Sequence, residues 1–337
     1  MRTTRTVLLL VAALLLGAAG LGTPQAQTPQ KVVFALNWFA VGDHAAYWVA
    51  LDRGYYRARG LDVELQNSKG SGDSIAKVDT GRADLGLADA VVVIPRIAQG
   101  ARIKVVGAVF DNTPLNIWTR KDTGIARPKD LEGKTLAAPP GDAQRQLFPA
   151  FAKLNGVDEA RVRWVNIEPA AKFVALAEKR ADAVPDYTTG QPFWEKAVGA
   201  ENLVRMPWSQ FGFDTYSMGI FASEKTIAER PKVLRDFVAA SYQGWRDVME
   251  NPKAALEIFK KRVPDIDLAL IEPNMMLGLD LMKTDRFAKH GIGWIERAKM
   301  CRTVELINTY MPDMPRKVGC DETFTNEFLT KIEPPKR

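Results

Sequence analysis

Short apolar runs alternate with helix-length segments along most of this chain, and this alternation restricts the possible folds more than any other feature of the sequence. The first set of strands is predicted at residues 32–36, 63–66, 85–88 and 104–110. Helix-length segments separate them, which is the pattern of βαβ units, and such units build a largely parallel sheet. The sequence therefore predicts an α/β fold.

A second set of strands and helices follows residue 118 with the same layout. Its strands are predicted at 135–138, 162–167, 183–185 and 203–206, with helices at 143–154 and 170–179. Two short sequences recur in the same order: Arg-Ala-Asp at 82–84 and 180–182, where a helix gives way to a strand, and Gly-Asp at 72–73 and 141–142, just before a helix. The chain therefore encodes two lobes with one common plan.

The C-terminal part of the chain is predicted to return to the first lobe. A strand is predicted at 218–222, and a helix begins at Pro231 and continues through Val248. The first lobe would then comprise 31–116 and 215–337, and the second 117–214. The two segments that connect the lobes, near 114–118 and 211–216, are the hinge candidates.

The N-terminus has the layout of a secretory signal. Arg2 and Arg5 precede an apolar run at 7–19, and small and polar residues follow through Ala26. The run is shorter than the roughly 20 residues that cross a bilayer. We expect residues 1–26 to be removed, and we expect no lipid anchor, because no cysteine lies in or just after the run. The expected location is the periplasm.

Charge and cysteine content limit the partners and the chemistry. The formal net charge of +6 falls to about +4 once Arg2 and Arg5 are removed, and the basic residues are scattered, so no nucleic-acid partner is expected. Cys301 and Cys320 are the only cysteines. In an oxidising compartment they could form a disulfide or stay as two thiols, and the sequence alone does not decide between these.

Several residues of the first lobe resemble one family, the type II periplasmic binding proteins of the THI5/NMT1-like group. The resemblance runs from residue 31 to about 263. The residues that carry it are Asn37, Trp38 and Phe39 after the first strand, His44, Gly54 and Tyr55, then Gly60, Leu61 and Asp62, and residues 81–86. It implies a monomeric solute-binding protein that binds a small molecule between its lobes and delivers it to the membrane permease of an ABC importer, without a cofactor.

The same group contains pyrimidine synthases, which use a histidine as substrate and a cysteine-rich iron motif. By resemblance their histidine falls at 90–93, where this chain has Ala-Val-Val-Val, and their cysteines fall at 212–216, where it has Gly-Phe-Asp-Thr-Tyr. His44 and His290 are the only histidines, and neither is near a cysteine in sequence. A binding protein without catalytic residues or metal is therefore favoured over an enzyme. A sensory module that signals to a membrane receptor is a third alternative.

The candidate ligand-binding residues follow predicted strands, because ligands of open α/β sheets bind beyond the carboxyl ends of the strands. In the first lobe they are Asn37, Trp38, Asp43, His44, Ser71, Gly72, Asp73, Asp89 and Asp111; in the second they are Gly141, Asp142, Glu168, Asp186 and Tyr187; Phe213 and Asp214 lie at the second connection. Each also has a structural alternative: an aspartate before a helix is often an N-cap, and a tryptophan after a strand often belongs to the core.

Acidic residues, rather than free amides and basic side chains, occupy the predicted helix N-termini. Carboxylates repel an anion and attract hydrogen-bond donors. Trp38, Tyr187 and Phe213 could stack on a flat ring. We therefore expect an amino-bearing heteroaromatic ligand, such as a pyrimidine precursor of thiamine. The alternative is a sulfonate, nitrate or aromatic carboxylate, which would require Arg145, Lys121 or Arg120 to reach the cleft.

Overall fold

The computed structural model describes residues 28–335. The predicted signal segment, 1–26, lies outside this range. No helix between residues 28 and 335 is both long enough and apolar enough to cross a membrane.

The first sheet combines four strands from the N-terminal part of the chain with one that returns later. They are β1 (Gln30–Ala35), β2 (Leu61–Gln66), β3 (Leu85–Asp89), β4 (Ile103–Ala108) and β10 (Met218–Ser223). Their spatial order is β2-β1-β3-β10-β4. Strand β1 pairs in parallel with β2 and β3, whereas β10 runs antiparallel to β3 and β4.

The second sheet repeats this plan. Its strands are β5 (Asn116–Arg120), β6 (Thr135–Ala137), β7 (Arg163–Val165), β8 (Ala183–Pro185) and β9 (Leu203–Pro207). Their order is β7-β6-β8-β5-β9, with β6 parallel to β7 and β8, and β5 antiparallel to β8 and β9. In each sheet the antiparallel strand is the first one that the chain forms after it crosses from the other sheet. The predicted α/β class and the common plan are confirmed.

The position of β5 corrects the predicted connection at 114–118. Asn116 pairs with Pro207 and Arg120 with Leu203, so residues 116–118 belong to a strand of the second sheet. The connection between the sheets is therefore confined to 109–115. Strand β5 is not evident from the sequence, because its five residues, Asn-Ile-Trp-Thr-Arg, do not show the clear alternation or apolar run of a strand.

The repeated Arg-Ala-Asp sequences make the same contacts in both lobes. The Asp84 carboxylate accepts a hydrogen bond from the Val33 amide of β1 (2.7 Å), and the Asp182 carboxylate accepts one from the Thr135 amide of β6 (2.8 Å). The amides of the two aspartates return bonds to the same residues, at 2.9 and 2.8 Å. Each aspartate therefore fixes the turn after a helix to the strand next to the edge of its sheet, β1 in the first and β6 in the second.

Helices pack against both sheets, and the longest ones lie in the C-terminal part. They are α1 (Ala45–Asp52), α2 (Ser71–Asp79), α3 (Ala90–Ala98), α4 (Ala143–Leu154), α5 (Ala171–Ala177), α6 (Gln191–Val198), α7 (Glu224–Glu229), α8 (Pro231–Glu250), α9 (Pro252–Arg262), α10 (Leu268–Met282), α11 (Asp285–His290), α12 (Arg297–Tyr310) and α13 (Cys320–Thr323). Pro231 occupies the first turn of α8, where its missing amide proton costs no hydrogen bond.

The C-terminal helices contact both lobes, although the sequence predicted that they return to the first lobe only. Helix α10 packs on the 3-10 turn Gly42–His44 of the first lobe and on the turn Thr188–Gly190 and α6 of the second. Helix α12 packs on α3 and on α4. The C-terminal segment therefore spans the junction between the two sheets, and the predicted lobe boundaries stay a prediction.

Cys301 and Cys320 form a disulfide, with their Cα atoms 5.0 Å apart. The bond links α12 to the short α13. It settles the alternative that the sequence left open.

We expect replacement of both cysteines by serine to lower the free energy of unfolding by about 3 kcal/mol, because the bond closes a loop of about 20 residues in the unfolded chain. Urea unfolding of the wild type and of the Cys301→Ser/Cys320→Ser variant measures this difference. A reductant should reduce the stability of the wild type to that of the variant and leave the variant unchanged. Equal stability of both proteins without reductant would contradict the prediction.

Candidate ligand-binding site

The carboxyl ends of the parallel strands in the two sheets face a common cavity. It encloses about 620 Å³, part of which is open to solvent. Residues that follow β1, β3 and β8 line it, together with the first turns of α2 and α4 and side chains from α5, α6 and α10.

Nine of the predicted binding residues line this cavity. They are Asn37, Trp38, Asp43, His44, Ser71, Asp89, Asp142, Asp186 and Tyr187. They come from three strand ends in the first lobe and two in the second. They could be predicted from the sequence because ligands of such folds bind beyond the carboxyl ends of the strands, and each of these residues lies at or after such an end.

The other predicted residues lie outside the cavity lining. Asp111 pairs with Arg286 at 2.8 Å, and Phe213 is buried in an aromatic cluster with Trp208 and Phe151. Asp214 is exposed, and exposed Glu168 pairs with Lys69 at 2.9 Å. These residues follow strands or connections, as predicted, but their side chains point to other partners.

Gly72, Asp73 and Gly141 lie where the two lobes touch beside the cavity. Asp73 is inside α2 rather than at its N-cap, and its carboxylate accepts from the Lys69 amide at 3.0 Å. The Gly72 amide donates to the Gly141 carbonyl at 3.0 Å. Gly70 has φ +126°, and a Cβ atom there would lie 2.1 Å from the Gly141 carbonyl oxygen. Only glycine permits this approach of the two backbones.

Aromatic side chains form opposing parts of the cavity wall. Trp38 and Phe39 project from the first lobe, with ring centroids 5.6 Å apart. Phe173 and Phe193 project from α5 and α6 of the second, 5.8 Å apart. The sequence did not single out the two phenylalanines, because each lies on an amphipathic helix where an aromatic residue is usually core. Together the rings can hold a flat ligand between the lobes.

Lys172 supplies a buried positive charge that the sequence did not reveal. Its ammonium lies 2.7 Å from the Asp142 carboxylate and 4.7 Å from the centroid of the Trp38 ring. Asp142 also caps α4 by accepting from the Arg145 amide at 3.0 Å. Lys172 is 30 residues from Asp142 in sequence, so no local pattern connects them. This pair neutralises one of the four cavity carboxylates.

Asp89 accepts hydrogen bonds from three hydroxyl groups. Ser71 donates to Oδ2 at 3.2 Å, Ser217 to Oδ1 at 2.5 Å and Tyr187 to Oδ2 at 2.5 Å. Asp89 is fully buried, and burial raises the pKa of its carboxyl to about 6, although the three donors act in the opposite direction. Asp89 precedes α3 but makes no side-chain cap to it.

Asp43 is the cavity carboxyl with an unused oxygen. Thr189 donates to its Oδ2 at 2.7 Å, and Oδ1 has no hydrogen-bond partner among residues 28–335. Burial, with a smaller contribution from the nearby Asp186, raises the pKa of Asp43 to about 7, although the Thr189 hydrogen bond acts in the opposite direction. Oδ1 of Asn274, on α10, is likewise unpartnered within that range, and Asn274 lines the same cavity.

Asp186 is held by the second lobe alone. The Tyr187 amide donates to its Oδ1 and the Trp194 indole to its Oδ2, both at 2.9 Å. Burial raises the pKa of Asp186, and the charge of Lys172 partly offsets this effect. Both of its oxygens are therefore occupied.

His44 and Asn37 form a buried polar pair in the cavity lining. The Val41 amide donates to His44 Nδ1 at 3.4 Å, which leaves His44 Nε2 to donate to Asn37 Oδ1 at 2.9 Å. Burial lowers the pKa of His44 to about 3, so the imidazole is neutral at physiological pH. Its role is to orient Asn37.

The basic residues that an anionic ligand would require are committed elsewhere. The Arg145 guanidinium donates to the Ala138 carbonyl (2.7 Å) and to Asn166 (2.6 Å). The Arg120 guanidinium donates to the carbonyls of Leu176 and Ala181. Lys121 follows the end of β5 that is farther from the cavity and is exposed.

The described part of the chain contains no cluster of typical metal-ligating side chains. No group of three or more histidine, cysteine, aspartate or glutamate side chains in residues 28–335 has an arrangement that could hold an ion. The cavity carboxyls bind hydroxyl, amide, indole and ammonium donors instead.

Replacement of Asp43 by asparagine should stabilise the protein at high pH. The folded state holds the Asp43 proton more tightly than the unfolded chain, where the pKa is 3.8, so wild-type stability falls as the pH rises from about 4 through 7. At pH 8 we expect Asp43→Asn to raise the free energy of unfolding by more than about 1 kcal/mol. The difference should shrink as the pH falls towards 4, because only below the unfolded-state pKa of 3.8 is Asp43 mostly neutral in both states.

Urea unfolding at pH 4.5 and pH 8 measures this effect, with Asp62→Asn as the control because Asp62 is an exposed residue of β2. An Asp43→Asn effect that is the same at both pH values would contradict the prediction.

The sequence matches the family model described as NMT1/THI5 like over residues 41–255. The riboflavin-binding protein RibY of Chloroflexus aurantiacus is 27% identical over 316 residues, which cover 91% of this chain and 88% of that protein. A formylaminopyrimidine-binding protein of Halalkalibacterium halodurans is 23% identical over 277 residues, covering 81% and 83%. A 4-amino-5-hydroxymethyl-2-methylpyrimidine phosphate synthase of Schizosaccharomyces pombe is 28% identical over 143 residues, covering 42% and 41%.

Solved structures with the same fold include a protein from Bordetella bronchiseptica RB50, with a TM-score of 0.71 and 16% identity over 89% of this chain and 96% of that one. The alkanesulfonate-binding protein SsuA of Xanthomonas axonopodis pv. citri, bound to MOPS, has a TM-score of 0.64 and 14% identity, covering 88% and 98%. At these identities the likeness shows the fold, which is that of periplasmic binding proteins. The family model spans well over half of the chain, so this protein belongs to the NMT1/THI5-like family.

Proposed function

We propose that this protein is the extracytoplasmic ligand-binding component of an ABC importer and that its cavity binds a small planar heteroaromatic molecule with hydrogen-bond donors. The observation that carries the proposal is the combination of opposing aromatic walls with unused acceptor oxygens on Asp43 and Asn274. A flat ring can stack between Trp38 and the phenylalanines, while its amino or ring N–H groups donate to these oxygens.

The relatives support this ligand class. The printed names of two of them specify riboflavin and formylaminopyrimidine, both of which are planar nitrogen heteroaromatics. A pyrimidine precursor of thiamine fits the same description. Its amino group would offer the donors that Asp43 and Asn274 can accept.

An anionic ligand has weaker support. No lysine or arginine among residues 28–335 lines the cavity itself; Lys172 lies against the cavity residue Trp38, and Asp142 already neutralises it at 2.7 Å. Three further carboxyls line the cavity. A sulfonate or nitrate would therefore bind against a net acidic surface without a free cation within reach.

The proposed role does not include a reaction. By resemblance, the substrate histidine of the pyrimidine synthases falls at 90–93 of this chain. These positions hold Ala90 and three valines of α3, and all four are buried core residues. The residues at 212–216 contain no cysteine, and both cysteines of the chain are joined to each other. The protein would act as a monomer in the periplasm, with a permease as its membrane partner.

A thermal-shift screen of the protein without residues 1–26 should identify the ligand class. We expect stabilisation by pyrimidines or flavins and not by sulfonates or nitrate. A ligand at 100 times its Kd stabilises the folded state by about 2.7 kcal/mol. Ligand recovered unchanged after incubation, measured by mass spectrometry, would support binding without turnover.

Trp38→Ala should weaken binding of the ligand found in this screen at least tenfold, because the stacking surface is lost. A tenfold loss corresponds to roughly 1.4 kcal/mol of binding free energy, which calorimetry would measure. Trp294→Ala is the matched control, since Trp294 stacks on His290 outside the cavity. Stabilisation by anions alone would overturn the heteroaromatic assignment. Equal binding by the two variants would exclude Trp38 from the site.

A further inference from the structure

A groove on the protein surface, separate from the ligand cavity, lies between α6 of the second lobe and α10 of the C-terminal segment. The two helices contact each other, and the apolar residues that line the groove include Pro192 of α6 and Pro273 and Met276 of α10. None of its lining residues lines the cavity. The same helices reach the cavity through other side chains, Phe193 and Asn274. The groove and the cavity therefore lie on different sides of one helix pair.

The apolar character of α10 extends to its solvent-facing side. Only two of the fifteen residues of Leu268–Met282 are charged, and apolar residues occur on every side of the helix. A helix with this composition is normally buried, whereas a surface helix has a polar outer face. Ile271, Met275 and Leu279 are buried in the core, but Met276 is one of three exposed large apolar side chains among residues 28–335. The exposed side of α10 is therefore suited to contact with another molecule.

Carboxylates border the apolar part of the groove. Glu195, Glu272 and Asp280 line it, and no lysine or arginine among residues 28–335 does so. The Gln191 side-chain amide donates to Glu195 at 2.6 Å, and Asp280 pairs with exposed Lys283 at 2.7 Å, a pair that solvent screens. The chain as a whole has a formal net charge of +6. The groove is therefore an acidic region on a basic protein.

The charge of the groove selects among the molecules that could cover it. A second copy of this chain fits poorly, because a two-fold symmetric contact places the same surface of both subunits face to face. The three carboxylates of one groove would then meet the three of the other. A partner that presents a basic side chain among apolar ones has the complementary charge and can also cover Met276 and Pro273.

We propose that the groove between α6 and α10 is a docking site for an extracytoplasmic loop of the permease, and that this loop carries a basic side chain beside apolar ones. The proposal rests on the importer role proposed above. A loop in the groove contacts both helices at once, through Glu195 of α6 and through Glu272 and Met276 of α10. Its fit therefore depends on the spacing of two helices that also line the ligand cavity.

Photocrosslinking in intact cells of the native host tests the groove directly. The photoreactive residue benzoylphenylalanine in place of Met276 should form a covalent product, on irradiation, with the protein that docks there. We expect mass spectrometry to identify this product as the membrane-spanning permease subunit of an ABC importer. Because Met276 is exposed and does not line the cavity, the label should leave the protein folded, which thermal unfolding checks.

The same label in place of Ala228 is the matched control. Ala228 is an exposed apolar residue of α7, which follows the end of β10 that pairs with Leu85 and Ile103, at the edge of the first sheet farther from the cavity. This position should give no permease product. Equal capture at both positions, or capture at Ala228 alone, would overturn the docking site and leave the importer role intact. A product with a second copy of this chain at Met276, or no product there, would also overturn the docking site.

Reversal of one charge tests the carboxylates. In the protein labelled at position 276, Glu272→Lys should lower the yield of the permease product roughly tenfold or more, because like charges brought together at an interface oppose binding. Glu229→Lys, the same change at an exposed position of α7, should leave the yield unchanged. Equal yields from the two variants would overturn recognition of a basic side chain by the groove. Capture of a membrane receptor instead of a permease would overturn the importer role, so the two proposals fail through different results.

Discussion

Both sheets direct the carboxyl ends of their parallel strands towards the same cavity, and the remaining features of the site depend on this constraint. A strand that ends there places its next residues at a helix N-terminus, where aspartate is a favoured residue. Asp89 is the last residue of β3 and Asp186 follows β8, the corresponding strands of the two sheets. Duplication of the plan therefore duplicates the acidic residues, and closure of the lobes brings the two sets together.

Burial of several carboxyls in one cavity requires compensation, which the protein supplies in three ways. Lys172 pairs with Asp142, hydroxyl groups surround Asp89, and an indole and a backbone amide hold Asp186. Asp43 receives one hydroxyl and remains the least compensated, and burial accordingly raises its pKa to about 7. Uncompensated polar atoms destabilise a buried site unless a partner arrives, so they mark the places where a ligand can contribute most.

The sequence predicted the architecture because its signals are local. Strand runs, a proline at a helix start and repeated Arg-Ala-Asp turns all act within a few residues. Strand β5 could not be predicted, because its five residues have no clear periodicity. It is a strand because it pairs with β8 and β9. The cavity residues at strand ends were equally predictable, since a strand end fixes their location.

Contacts made across the fold were not predictable in this way. Phe213 looked like a stacking platform but lies among Trp208 and Phe151, because the connection before β10 turns inward and buries it. Asp111 looked like a cavity residue, but Arg286 from α11 pairs with it. Lys172 and Asn274 come from distant helices whose docking only the tertiary structure defines. An acidic pattern in the sequence therefore indicates where a site lies, but hydrogen-bond partners decide which carboxyl is free for a ligand. Here three of the four are occupied by protein donors on both oxygens, and Asp43 is the one with an oxygen that has no hydrogen-bond partner among residues 28–335.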